Sequence, residues 1–312
     1  MADRSYSELF LARKGLLADK WAQYLPVYDR EITRFLAAGR PIRLLEIGIA
    51  RGGSLAIWEA LLPPGSSIIG LDIEPGCGDL PFGPAVRVII LDATDRRALD
   101  QALGDAVFDI IIDDGSHRSP DIIATFDSCF RRLAPGGIYI VEDLHAAYWP
   151  SFGGRYRDPG SAIEFLKTLV DALHADHFLW EKGISHAERA YLTAHCAEVA
   201  RIAFHDSIAI IERMAVPKDG PHPRIASGGE GELPGTGGRE APDRAVSSPA
   251  AGGGDAILTQ ALLRARVEIT GLRQQVASLQ ATAASPASAP STPAALRARI
   301  RAALRVLSGA AP

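Results

Sequence analysis

The chain holds 312 residues, 47% of them hydrophobic, with a net charge of −4. That is enough for one large domain or two modest ones with a proper core. The small charge gives no electrostatic reason to expect nucleic acid or an anionic membrane, and no apolar run approaches the length of a membrane span.

In chain order, the N-terminus lacks the apolar stretch and small-residue cleavage site of a signal peptide. Residues 1–40 form an N-terminal helical segment, in which Ala18–Ala38 reads as a helix that caps a sheet or overhangs a cofactor. Ile42–Ile47 is a short apolar run ending in a glycine-bearing loop, Glu46 to Ser54, and helix follows from Ser54 to Leu62. Further strands are predicted at Ser67–Leu71, Val86–Leu91, Phe108–Ile112 and Ile138–Val141. Helices are predicted at Arg96–Leu103 and Pro120–Leu133, the second stopped by Pro135-Gly136-Gly137. Strands separated by helices imply parallel βαβ units, here a mostly parallel, doubly wound, Rossmann-like α/β sheet over residues 41–215. His205–Arg213 is apolar and β-branched and supplies a late antiparallel strand at the edge.

The composition changes near residue 216. From there to 255, Gly, Pro, Ser and charge dominate, a mixture that cannot bury enough apolar surface to fold and reads as a flexible linker. Leu258, Leu262, Ala265, Ile269, Leu272, Val276 and Leu279 then form a heptad seam, making 256–282 a short coiled-coil helix suited to homo-oligomerisation. Residues 283–312 are a low-complexity stretch and a basic helix, Ala294–Leu307.

In such a sheet, ligands bind beyond the carboxyl ends of the strands, where the strand order reverses. Every predicted strand there carries acid: Glu46, Asp72, Asp92, Asp113 with Asp114, and Glu142 with Asp143. Gly48 and Gly52 permit a tight loop and close approach of a ligand. The loop is not GxGxxG, because Ala50 stands where a dinucleotide fold would place its second glycine. Asp72, about 20 residues past the loop, can accept both hydroxyls of a ribose, which suits NAD and S-adenosylmethionine alike. Glu46 would repel a pyrophosphate but welcome a cationic amino-acid end, which favours S-adenosylmethionine. The cofactor-facing set is Glu46, Gly48, Ala50, Ser54, Asp72, Asp92 and Asp113.

The fourth and fifth strands are neighbours in this topology, so Asp114, Glu142 and Asp143 can converge. Three carboxylates without a thiolate make a hard oxygen site for Mg²⁺ or Mn²⁺. His117, from the same loop as Asp114, is placed to act as general base. The same DDGSH run could instead cap the next helix, through Ser116 or Ser119. Tyr148, Trp149 and Phe152 follow the acidic pair and offer an apolar platform for a sugar face. His174, His177, His186, His195 and His205 read as surface or core histidines.

The stretches LLEIGIARGGSLAIWEALLPPGSSIIGLDIEP and IIDDGSHRSPDIIATFDSCFRRLAPGGIYIVEDLHAAYWPSFGG carry a resemblance, as does Asp19-Lys20-Trp21 followed by Tyr24 to Tyr28. Across residues 15–215 the chain resembles the metal-dependent sugar O-methyltransferases of the mycinamicin and macrocin type, within the class I S-adenosylmethionine-dependent methyltransferases. The resemblance implies methyl transfer to a sugar hydroxyl, with Asp114, Glu142 and Asp143 on Mg²⁺, His117 as base, and Glu46, Gly48, Asp72 and Asp92 along the cofactor.

The expected function is therefore S-adenosylmethionine- and Mg²⁺-dependent O-methylation of a glycosylated natural product, glycolipid or polysaccharide. Two alternatives stand beside it: an NAD-dependent sugar oxidoreductase or epimerase, and a non-catalytic cofactor-binding scaffold acting through its coiled tail. The first would need a YxxxK-type pair, which is absent from the sequence. Cys77, Cys129 and Cys196 form no CxxC pair and fit a reducing cytoplasm.

Overall fold

Short runs of β-branched and other apolar residues pair in parallel: β1 (Arg43–Ile47), β2 (Ser67–Asp72), β3 (Val86–Ile90, a half-exposed edge), β4 (Phe108–Asp113) and β5 (Leu133–Val141). The structure is a computed structural model that describes residues 5–222 apart from 179, 180 and 219. Most of the expected linker, the heptad helix and the basic C-terminal helix lie outside the described residues. β6 (Val199–His205) and β7 (Ile208–Arg213) complete a seven-stranded sheet of order β3-β2-β1-β4-β5-β7-β6. β4 is buried along its whole length, as the centre of a sheet covered on both faces must be.

Helices α1 (Tyr6–Ala12), α2 (Tyr24–Ala37) and α3 (Gly53–Leu61) share a core with one face of the sheet. There Leu44, Ile110, Ile112, Ile138 and Ile140 pack with Tyr28, Ile32 and Trp58. The Tyr6 ring lies 4.5 Å from Tyr28 and 4.6 Å from Trp58. The remaining helices are α4 (Arg96–Leu103), α5 (Ser119–Cys129), α6 (Ala162–His174) and α7 (His186–Cys196). Phe126 of α5 meets Tyr139 of β5 at 5.1 Å and Phe165 of α6 at 5.4 Å. His195 is a core histidine in this layer, 4.2 Å from Tyr191 and stacked on Phe126 and Phe130. Burial pushes its pKa down. Among the described residues, no helix is long and apolar enough to cross a membrane.

Three expected boundaries move. The helix expected over Ala18–Ala38 begins only at Tyr24, and residues 13–23 run as an irregular strap. The strap is held out of helix because the Gly53 N–H takes the Leu17 carbonyl at 3.1 Å and Lys20 is committed to the carboxylates described below. Pro26 sits in the first turn of α2, where its missing N–H costs nothing. The helix expected to reach Leu133 ends at Cys129, and a 3₁₀ turn leads directly into β5. Pro135-Gly136-Gly137 lie inside that strand, at an irregularity in its pairing with β4, with Gly136 at φ 75°. The run from His205 is the end of one strand and the whole of another: Asp206-Ser207 is the hairpin turn, β7 is the antiparallel strand, and β6 takes the edge.

Candidate active site

The strand order reverses between β1 and β4, and the register aligns their ends: Ile47 pairs with Leu71 and Asp113, and Asp113 with Val141. The acidic strand ends therefore share one edge, and a cavity of about 1070 Å³ opens there. The loops after β1 and β4 touch at Gly48. Its φ is +82°, and a Cβ would lie 2.2 Å from the Asp114 carbonyl oxygen, so only glycine fits.

On the cofactor side, Glu46 is fully buried beside the cavity. Its Oε2 accepts from Ser54 Oγ at 3.1 Å, while Oε1 makes no well-formed hydrogen bond among the described residues and has the buried Trp58 indole N–H as its neighbouring donor. Burial pushes the carboxyl up to about 7, against the pull of the Lys20 charge. Asp72 Oδ2 accepts from the backbone N–H groups of Ile49 and Ala50 at 2.9 and 3.0 Å, and so fixes Ala50 at φ 46°. Asp92 lines the cavity and folds its own turn by accepting from Thr94. Asp113 also lines the cavity, and its carboxylate accepts from the Thr125 hydroxyl and from Tyr139 Oη at 3.0 Å. Burial raises its pKa to about 6, opposed by those two hydroxyls.

On the acidic side, Asp114, His117 and Asp143 each place one ligand-type atom within 4.8 Å of the others. His117 Nε2 lies 3.4 Å from Asp143 Oδ2. Both residues have left-handed backbone, φ 58° and 53°, as does Ala50 across the cavity. Such strain persists where surrounding contacts enforce it. Asp143 is so enforced: Tyr24 Oη lies 2.8 Å from its Oδ1 and 3.0 Å from the Ser207 carbonyl, and accepts the Asp143 N–H at 3.0 Å. Glu142 faces inward, taking hydrogen bonds from Tyr28 Oη and from Lys20 Nζ at 2.8 Å. Burial and the neighbouring Asp114 raise its pKa. The capping alternative for DDGSH does not hold, since α5 is preceded by Arg118 with no side-chain cap.

Lys20, Trp21, Tyr24 and Tyr28 are site-lining or site-supporting residues to which sequence reasoning gave no role. Their signal was present in the Asp19-Lys20-Trp21 to Tyr28 run. Trp21 stands edge-on to His145 at 5.2 Å, His145 lies 4.4 Å from Trp149, and Trp149 lies 6.1 Å from Phe152. Phe152 in turn lies 6.2 Å from His117, so an aromatic row runs along the acidic side. Tyr148 and Trp149 remain 45% and 44% exposed, free to meet a ligand.

No family model matches the chain. Among curated proteins it is 34% identical to 8-demethyl-8-alpha-L-rhamnosyl tetracenomycin-C 2′-O-methyltransferase of Streptomyces olivaceus, over 64% of this chain and 52% of that protein. It is 37% identical to mycinamicin VI 2″-O-methyltransferase of Micromonospora griseorubida, over 54% and 42%. It is 35% identical to demethylmacrocin O-methyltransferase of Streptomyces fradiae, over 57% and 48%. The chain thus spans about half the length of the curated relatives it matches. Among solved structures, the MycE methyltransferase in complex with Mg, SAH and mycinamycin VI matches with a TM-score of 0.56 and 28% identity, over 72% of this chain and 58% of that one. A second MycE crystal form, with Mg and SAH, matches at 30% identity and a TM-score of 0.55, over 64% and 50%. Over the region they share, this chain is a homologue of the sugar O-methyltransferases of the mycinamicin and macrocin type, with the class I methyltransferase fold.

Proposed function

We propose that this chain transfers a methyl group from S-adenosylmethionine to a sugar hydroxyl of a glycosylated natural product, with Mg²⁺ or Mn²⁺ at the acidic cluster. The observation that carries the reading is one cavity with Glu46 Oε1 at one side and Asp114, His117 and Asp143 at the other. Glu46 Oε1, which makes no well-formed hydrogen bond, keeps a lone pair for the cofactor's ammonium, and Asp72 keeps lone pairs for ribose hydroxyls. Asp114 and Asp143 supply hard oxygen donors for the ion, with Glu142 beside them. When bound, such an ion lowers the pKa of neighbouring sugar hydroxyls and fixes their direction.

The chain's own task is alignment and proton removal. The acceptor oxygen attacks the sulfonium methyl carbon, the C–S bond breaks with its electron pair to sulfur, and His117 Nε2 takes the hydroxyl proton. Asp143, 3.4 Å away, orients the ring. Tyr148 and Trp149 give a sugar an apolar face to lie on. Glycolipids and polysaccharides present similar hydroxyls and belong in the same acceptor screen. Self-association through the heptad seam and a cytoplasmic setting, which the free thiols of Cys77 and Cys129 suit, complete the proposal.

Calorimetry should detect binding of S-adenosylhomocysteine and not of NAD⁺; tight NAD⁺ binding would sink the cofactor assignment. With labelled S-adenosylmethionine and rhamnosylated or macrolide acceptors, turnover should stop in excess EDTA and return with Mg²⁺. Full activity in EDTA would refute the metal role.

Glu46 also sets a pH dependence. Its carboxyl is raised from 4.5 to about 7, so the native state holds a proton that the unfolded chain has lost. The contribution of Glu46 to the stability of the ligand-free protein should therefore be fully present below about pH 4.5 and be lost as pH rises through about 7. Binding of the cofactor's ammonium should instead tighten as Glu46 ionises. Glu46→Gln is expected to flatten both slopes between about pH 5 and 8, read by thermal melts and S-adenosylhomocysteine titrations. Unchanged slopes in the variant would place the titrating group elsewhere.

A further inference from the structure

Lys20 is a cation built into the acidic cluster. The strap that carries it is tied down at Leu17, whose carbonyl takes the Gly53 N–H, and a Cβ on Gly53 would lie 2.1 Å from that oxygen. One residue past Lys20, Trp21 packs on His145. The Lys20 side chain is 3% exposed, and its Nζ lies 2.5 Å from Asp114 Oδ2 and 2.8 Å from Glu142 Oε1. Burial alone would lower its pKa, yet the charges of Glu142 and Asp114 hold it well above the ordinary value.

Two consequences follow from simple electrostatics. A buried carboxylate (Glu142) and a half-buried one (Asp114) on the same ammonium need that compensating cation, or they repel each other and stay poorly solvated. Asp114 is also one of the three residues that can share an ion with His117 and Asp143, so a single carboxylate answers to two cations. Lys20 and Tyr28 both hold Oε1 of Glu142, which leaves its Oε2 as the oxygen that could join as a ligand. A unit charge a few ångströms from a divalent ion repels it strongly in so sheltered a place.

We propose that Lys20 is an internal counter-cation that keeps the acidic cluster ordered when it is metal-free and lowers its affinity for divalent ions. The proposal rests on the metal reading above. Its test is Mn²⁺ binding to the full chain, followed by the electron paramagnetic resonance of free Mn²⁺, for wild type, Lys20→Met and Lys20→Arg. Lys20→Met should bind Mn²⁺ at least roughly tenfold more tightly, while Lys20→Arg stays near wild type. In EDTA, Lys20→Met should melt at a lower temperature than wild type, and Mn²⁺ should restore it. A lysine that served only packing would weaken both readouts, so equal or weaker Mn²⁺ binding by Lys20→Met overturns the proposal. Should that variant fail to fold in EDTA, refolding with Mn²⁺ must recover it, and a chain unfolded in either buffer also counts against the idea. Mn²⁺ binding by none of the three proteins overturns the metal reading and this inference with it.

Discussion

His117→Ala is expected to lower methyl transfer by roughly 10²- to 10⁴-fold, the usual worth of a positioned general base, while leaving S-adenosylhomocysteine affinity within about twofold. The cofactor side of the cavity explains the second half of that expectation. Glu46, Ser54 and Asp72 are held by the β1 loop and do not depend on the imidazole. The first half follows from placement, since Nε2 points at Asp143 and the ring closes the aromatic row at Phe152. Steady-state kinetics and calorimetry on one preparation give both numbers. Mn²⁺ titration of the same variant separates two roles for His117. Preserved Mn²⁺ affinity with lost turnover marks a base, whereas loss of both would mark the histidine as a ligand. Near-normal turnover would move the base to another residue.

Gly48→Ala should be strongly destabilising. A left-handed backbone costs a non-glycine residue about 1–2 kcal/mol, and overpacking a rigid contact adds about 1–3 kcal/mol. The clashing atom here is the Asp114 carbonyl oxygen at 2.2 Å, with Gly115 Cα at 2.7 Å, so no flexible side chain can swing aside. A loss of at least about 3 kcal/mol is expected in urea denaturation. Parting the two loops should also weaken S-adenosylhomocysteine and Mn²⁺ binding together, because the same contact sets the spacing of both halves. Stability close to wild type would mean that the loops can separate without cost.

The parallel half of the sheet was legible because each strand is a short apolar run closed by acid, and that pattern fixes both register and edge. The common edge of Asp72, Asp114 and Asp143, which line one cavity, was legible for the same reason. The strap was not legible. Lys20 and Tyr24 lie in a stretch with helical composition, and what holds residues 13–23 out of helix is tertiary: the Leu17 carbonyl on Gly53 and the ammonium on Asp114. Asp113 ends a strand and lines the cavity as expected of that position, but its hydrogen bonds to Thr125 and Tyr139 were not legible, because α5 and β5 packing sets them. The β5 start at Leu133 was hidden by Pro135-Gly136-Gly137, which normally signals a turn and here makes a pairing irregularity.

The strap also bears on how the site comes together during folding. Lys20 reaches Asp114 across 94 residues and Glu142 across 122, and Tyr24 reaches Asp143 across 119. Contacts so distant in sequence close only after large loops have been gathered in, and chains rich in them fold slowly. The βαβ units can form their ladders from nearer neighbours. The acidic edge is therefore expected to assemble before the N-terminal cation and hydroxyl complete it, and regain of secondary structure in a refolding chain should precede regain of a working site.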